Sequence, residues 1–329
     1  MERIKWIDFV KGITILLVVI GHVNLGMLLS GRFSDQDGFL TLINELIYSV
    51  HMPLFFMISG LFYYNRSTTA RQLGKSIINK LISLGIPYLV FSAVMWGMKF
   101  VMGSHIRVAA GWDDLLLIFT HPIDHLWFLY SLFLIFLVAE VLDYVFKNDI
   151  VVFFVLFAAS IIGWHYKTGL YIMDVTIYMA SFFYIGKIFR QNIAILEKRS
   201  FVLLSSLSFV GLQYVNLMIE DTFRGLAFVI TMSGIFMILS LARNLNMNNR
   251  ICRYFYNAGL ITMPVFLIHP IIASAFRICL LKTGIDNFAV HYIGGIVVSW
   301  FLSILIYKIA GRYRYSDFIF YPGKYLKIT

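Results

Sequence analysis

Residues 6–24 read Trp6-Ile7-Asp8-Phe9-Val10-Lys11-Gly12-Ile13-Thr14-Ile15-Leu16-Leu17-Val18-Val19-Ile20-Gly21-His22-Val23-Asn24. The apolar run continues to about residue 30, yet an aspartate, a lysine and a histidine are set into it. At about 1.5 Å of rise per residue, a helix of this length crosses a hydrocarbon layer of about 30 Å. Arg3 and Lys5 stand before it as in a secretory signal. The run is too long for one, however, holds Lys11 and His22, and lacks a small-x-small cleavage site, so it is expected to persist as a first transmembrane helix.

Runs of the same kind recur along the whole chain. Of its 329 residues, 60% are hydrophobic and 13% charged, against about 25% charged in ordinary soluble domains. Spans are expected near 9–30, 39–64, 76–102, 124–145, 150–166, 169–189, 200–218, 224–243, 257–281 and 287–311, the fifth being short. Loop charges test that count. With the N-terminus in the cytoplasm, the outside loops hold only Arg32, Arg107, Lys167, Arg224 and Lys282, while the inside segments, from Arg3 and Lys5 to Lys324 and Lys327, hold nineteen basic residues. A wrong helix count would scramble that asymmetry. The expected fold class is therefore an all-α integral membrane protein of about ten transmembrane helices, with N- and C-termini cytoplasmic. No repeat, linker or low-complexity tract appears, so one domain is expected over 1–329.

The net charge of +10 does not point to nucleic acid, because the basic residues are spread over short loops and form no patch. Cys252 and Cys279 are far apart and suggest neither a disulfide framework nor a metal site.

An ionisable group inside the bilayer is costly and marks function by default. Lys11 and His22 are eleven residues apart, which puts them within about 20° of one helical face and separates them by about 16 Å along the axis. Lys11 then lies at the cytoplasmic end and His22 slightly beyond the midplane, with Asp8 placed to pair with Lys11. The plainer alternative is a snorkelling Asp8–Lys11 pair and a packing histidine. His51 opens the stretch His51-Met52-Pro53-Leu54-Phe55-Phe56-Met57-Ile58-Ser59-Gly60, where Pro53 should bend the helix and Ser59 with Gly60 should permit close helix contact. His125 begins the fourth span from outside, followed by Leu126 and Trp127. His269 lies between Pro264 and Pro270, which predicts a broken or kinked helix lining a cavity. His22, His51 and His269 share a depth; His125 and Asp174 lie nearer the outer face. Glu45, Glu140, Asp174 and His291 are weaker candidates, each near a helix end or able to satisfy itself locally, and Lys99 and Arg277 are expected to snorkel outward.

On these motifs the sequence resembles the acyltransferase-3 family of membrane acyltransferases, in particular its fucose 4-O-acetylase-like, surface-glycan O-acetyltransferase branch. The markers are Trp6-Ile7-Asp8-Phe9-Val10-Lys11-Gly12 with His22 eleven residues after Lys11, then His51-Met52-Pro53 to Ser59-Gly60. Ile86-Pro87-Tyr88, His125-Leu126-Trp127-Phe128-Leu129 and Phe266-Leu267-Ile268-His269-Pro270 follow. Each is short; their order and spacing over nearly the whole chain carry the likeness. The resemblance implies acetyl transfer from cytoplasmic acetyl-CoA, as co-substrate, to a hydroxyl of a glycan or lipid-linked sugar acceptor, in a multi-pass protein of the bacterial inner membrane and without a metal. The expected catalytic residues are His22, Asp8, His51 and His269. Lys11, Lys75 and Lys80 are expected to bind the donor, and His125, Trp127, Asp174 and Ser59 the acceptor. The family's basic residue eleven positions before its histidine is usually arginine. Lys11 here meets a phosphate as a point charge without a bidentate fork. The paired arginines common after the second helix are absent, Lys75 and Lys80 being nearest.

Coenzyme A carries phosphates at one end and a thioester at the end of a long arm, which suits a cation at the mouth and a histidine about 16 Å deeper. Neutral imidazole can act as general base or as acyl carrier. Two other classes fit a polar chamber. A polytopic glycosyltransferase is hinted at only by Asp113-Asp114, and a transporter or flippase is disfavoured by the lack of an inverted repeat.

Overall fold

A computed structural model describes residues 4–64, 67–103, 108–218 and 224–328, with backbone alone at 164, 165 and 224. Arg3, Arg66 and Arg107, which enter the charge asymmetry, lie outside the described residues, as does the side chain of Arg224.

Among the described residues all regular structure is helical. In chain order the helices are α1 (Lys5–Leu28), α2 (Asp37–Tyr48), α3 (His51–Leu61), α4 (Ala70–Lys80), α5 (Ile86–Met102), α6 (Trp112–Leu116), α7 (Trp127–Phe146) and α8 (Asp149–His165). They continue with α9 (Tyr171–Phe189), α10 (Arg199–Met218), α11 (Arg224–Arg243), α12 (Arg250–Gly259), α13 (Thr262–Lys282), α14 (Gly295–Ala310) and α15 (Arg314–Phe320). Nine segments among the described residues are long and apolar enough to cross a membrane. They match nine of the ten expected spans, and the short fifth is the apolar helix Asp149–Gly163. The chain is an all-α integral membrane protein.

Two spans differ from expectation in a telling way. The second breaks at Ser49–Val50 and restarts with His51 as the first residue of α3. Pro53 explains the place: it has no N–H for the Ser49 carbonyl, and its ring crowds that same oxygen four residues back. The bend therefore falls one turn before the proline, and His51 sits at a helix start instead of mid-helix. The ninth span begins at Thr262. The expected residues 257–261 belong to the end of α12 and a turn. Pro264 lies in the first turn of α13, where its missing N–H costs nothing, and only Pro270 is inside the helix.

The contacts cluster into two compact units, which the single-domain reading does not resolve. Unit 1 comprises residues 1–55 and 191–308, and unit 2 residues 56–190 and 309–329. In unit 1, α1 is the hub and packs on α2, α11, α12 and α13. Its crossing with α12 is close enough that a Cβ at Gly12 would overlap the Phe255 carbonyl, and one at Gly259 would overlap that of Asp8. In unit 2, α3 and α9 cross in the same reciprocal manner through Gly60 against Phe183 and Gly186 against Met57. Small residues let backbones meet where lipid supplies no hydrophobic drive between helices. Ser59–Gly60 was legible as such a contact; its partner was not.

Candidate active site

The site in unit 1 is built on α1. The helix runs unbroken through Lys11 and His22, so their shared face is retained. At the Lys11 end, the ammonium pairs with Asp8 at 3.0 Å on a half-buried turn. Asp8 is itself buried, and fourteen residues place it about 21 Å along the axis from His22. It therefore belongs with Lys11. Arg243, at the end of α11, pairs with Glu197 and lies over the ring of Trp6, its guanidinium carbon 5.6 Å from the centroid.

Three histidines of unit 1 share one local device. His22 Nδ1 lies 3.0 Å from the Val18 carbonyl, His51 Nδ1 2.7 Å from that of Ile47, and His269 Nδ1 2.8 Å from that of Val265. Each ring thus uses the carbonyl four residues back in the chain, on its own helix for His22 and His269 and on α2 for His51. A carbonyl oxygen only accepts, so Nδ1–H is the donor and Nε2 carries the lone pair in each case. His22 and His269 also meet. His269 Nε2 is 3.2 Å from His22 Nδ1, with ring centroids 5.0 Å apart. With its Nδ1–H given to Val265, His269 can only accept at Nε2. The His22 Nδ1–H is then shared between Val18 and His269, and two acceptors hold one tautomer. That leaves His22 Nε2 as a basic nitrogen in an oriented ring.

His51 joins from α3. It is buried and packs edge-on against Tyr48 with centroids 4.7 Å apart. Gly21 makes the approach possible, because a Cβ there would stand 3.1 Å from Ile47 and 3.3 Å from Tyr48. Of the expected site residues, His22 and His269 are thus brought into contact, and His51 packs on Tyr48, which lies against α1 at Gly21. Which face of α13 would meet α1 was not readable from one sequence.

Unit 2 places the other expected residues. His125 is buried on the short 3₁₀ turn Asp124–Leu126 that leads into α7. Trp127 opens α7 with its ring near-parallel to Phe56, centroids 6.4 Å apart, and edge-on to Tyr171. Asp174 accepts from the backbone N–H and hydroxyl of Thr168, both at 2.8 Å, and so closes the loop before α9. Ser59 lies on α3 beside the Gly60 crossing, and Lys75 on α4. Lys80 is turned inward, its ammonium 3.5 Å from the centroid of Phe136 and close to Glu140. Lys99, in the last turn of α5, pairs with the part-exposed Asp124 at 2.7 Å.

Sequence reasoning missed the strongest ionic cluster of unit 2. Lys187 lies 2.5 Å from Asp143 and 2.7 Å from Asp149, and the Tyr184 hydroxyl donates to Asp143 at 2.5 Å. Glu140 accepts from Ser76 at 2.6 Å and from Ser67 at 3.4 Å. Burial first, and then the carboxylates of Asp143 and Glu140, push the Tyr63 phenol well above its ordinary range. The available signal was opposite charge at the near ends of the runs 124–145 and 169–189, which suits pairing as well as snorkelling.

Comparison with known proteins agrees with this arrangement. A family model described as an acyltransferase domain, that of acyltransferase family 3, matches residues 4–308. The chain is 31% identical over 190 residues to the nodulation protein NolL of Sinorhizobium fredii, covering 56% of this chain and 48% of that protein. It is 30% identical over 136 residues to NolL of Mesorhizobium japonicum, covering 41% of this chain and 35% of that protein. The chain thus spans half or less of the length of the curated relatives it matches. No solved structure matches it. A family match over both units, on a chain whose first helix holds Lys11 and His22 on one face, leaves one assignment: this protein belongs to the acyltransferase-3 family.

Proposed function

We propose that this protein is a membrane O-acetyltransferase that moves an acetyl group from cytoplasmic acetyl-CoA to a hydroxyl of a surface polysaccharide or lipid-linked sugar. The observation that carries this reading is the His22–His269 contact, in which two backbone carbonyls and one imidazole fix a basic Nε2 on His22. A histidine held in one tautomer by its other nitrogen is the arrangement a general base requires.

The chemistry is simple to balance. His22 Nε2 takes the proton of the acceptor hydroxyl as its oxygen attacks the thioester carbonyl; the carbon–sulfur bond breaks, and coenzyme A leaves as thiolate. The imidazolium so formed is stabilised through Nδ1–H by the Val18 carbonyl and His269, and it returns the proton to the thiolate or to water. The same Nε2 could instead carry the acetyl group between two half-reactions, which suits a donor and an acceptor on opposite sides. Lys11, steadied by Asp8, supplies the cation for the donor's phosphates. Counting the short apolar helix Asp149–Gly163 as a tenth crossing beside the nine long ones puts both ends on one side, and the loop charges favour the cytoplasm of a bacterial inner membrane for it.

The test is acetyl transfer from labelled acetyl-CoA to a glycan acceptor by the purified chain and by His22→Ala. Loss of about 100-fold or more in the variant is expected for a general base. A wild type that transfers nothing, or a variant that transfers normally, sinks the proposal. Solute uptake without acylation would favour a transporter.

A further inference from the structure

The helix α12 (Arg250–Gly259) is ten residues long, about 15 Å, half of what a crossing needs. It follows α11, precedes α13 and packs on the first two turns of α1. There a Cβ at Gly12 would overlap the Phe255 carbonyl, and one at Gly259 that of Asp8. Asp8 and Gly12 are three and seven residues past the start of α1, about 5 and 10 Å along its axis. An amphipathic helix lying in the membrane plane buries its apolar face to that same depth, at the boundary of headgroups and acyl chains.

The two faces of α12 differ accordingly. Cys252, Ala258 and Gly259 are buried, whereas Arg250, Arg253, Tyr254 and Asn257 are exposed at i, i+3, i+4 and i+7, within about 100° of arc. The exposed Ile251 flanks them. Two contacts fix this rotation. The Asn249 side chain caps the helix by accepting from the Ile251 N–H at 2.9 Å, and the Tyr254 hydroxyl accepts from the Trp300 indole at 2.6 Å. Neither arginine is explained from within the fold. Both stand in the first turn, where the helix dipole favours anions and opposes cations. Among the described residues, the acidic groups at the inner end of unit 1 are Asp8 and Glu197, and these pair with Lys11 and Arg243. The Arg253 guanidinium has only the Asn248 carbonyl, at 3.4 Å, and Arg250 has no ion pair among the described residues.

We propose that this face of α12 binds the phosphate of an anionic phospholipid in the cytoplasmic leaflet, with Arg250 and Arg253 as its cations. The site rests on the topology given above and not on the acyl-transfer chemistry. A guanidinium meets phosphate with paired donors, and its apolar stem lies along acyl chains while the head reaches the headgroups. Anionic lipids of that leaflet attract basic residues placed at the membrane edge. The donor's phosphates would offer the same chemistry, but they fit this face poorly. Phe255 and Gly259, which meet α1, lie roughly opposite the arginine arc, so the arginines are turned away from the helix that carries Lys11.

The test is native mass spectrometry of the purified full chain, titrated with phosphatidylglycerol, phosphatidylcholine and coenzyme A. Wild type is expected to bind phosphatidylglycerol about thirtyfold more tightly than phosphatidylcholine, about fivefold for each cation beside a headgroup. Arg250→Gln with Arg253→Gln should remove most of that preference, and Arg250→Lys with Arg253→Lys should keep part of it. Lys198→Gln with Arg199→Gln takes the same charge from exposed positions on the same side and should leave the preference unchanged. Both arginines are exposed, so their variants should melt with wild type. No preference in wild type, a preference that survives loss of both arginines, or equal loss in the Lys198 and Arg199 variant overturns the proposal. So does weaker coenzyme A binding with the lipid preference intact, which would give the arginines to the donor.

Discussion

Both units bury ionisable groups, and they satisfy them in opposite ways. In unit 2, Lys187 sits between Asp143 and Asp149, and Lys80 lies near Glu140, so each cation has its carboxylate at hand. In unit 1, the three histidines at the centre take backbone carbonyls or one another as partners, and the ion pair Lys11–Asp8 stands about three turns away. A matched ion pair in a dry interior is held mainly for its geometry, since removing one member strands the other. An oriented neutral imidazole keeps its proton affinity for use. The difference teaches that polar residues inside a membrane protein are not equivalent signals: unit 2's tie helices together by ion pairs, and unit 1's hold imidazoles on backbone carbonyls, the arrangement the proposed general base needs.

The sharpest way to break that comparison is in unit 2. Lys187→Met should cost about 3–5 kcal/mol of stability, because Asp143 is left buried without its cation. Lys187→Met combined with Asp143→Leu should recover most of it, read by thermal unfolding in detergent. If the single variant is as stable as wild type, the cluster is not fastening anything.

In unit 1 the expected effect is on rate. His269→Phe removes the acceptor for His22 Nδ1–H and should lower kcat about 10- to 100-fold with little change in KM, in line with losing a hydrogen bond to a group that becomes charged. His269→Gln, whose carbonyl can accept, should restore part of the rate. A fall in thermal stability with kcat intact would make His269 a packing residue like those of unit 2.

The smallest effect belongs to Asp174. Its carboxylate is spent on Thr168 in an exposed loop, so Asp174→Asn should change stability by less than about 1 kcal/mol and leave acetyl transfer unaltered. A raised KM for the acceptor would instead restore the acceptor-binding role read from the sequence.

Much of this was legible before any coordinates. Long apolar runs set the helices because hydrocarbon tolerates only backbone that hydrogen-bonds within itself, and the eleven-residue interval from Lys11 to His22 set one face because helical geometry is local. Boundaries near prolines were less legible. The clash of Pro53 falls on Ser49, four residues back, and the expected ninth span started too early because the apolar run continues through Leu260 and Ile261 across the turn after Gly259.

By itself, then, the sequence determined an all-helical membrane protein, the span count to within one short helix, and the stripe on α1 that joins Lys11 to His22. Only the tertiary structure decided that His269 meets His22, that Gly26 receives Arg277, and that Lys187 is spent on Asp143. The reason is physical. Rise and periodicity are properties of one helix, whereas lateral pairing depends on which faces pack, and that is a choice made jointly by helices far apart in the chain.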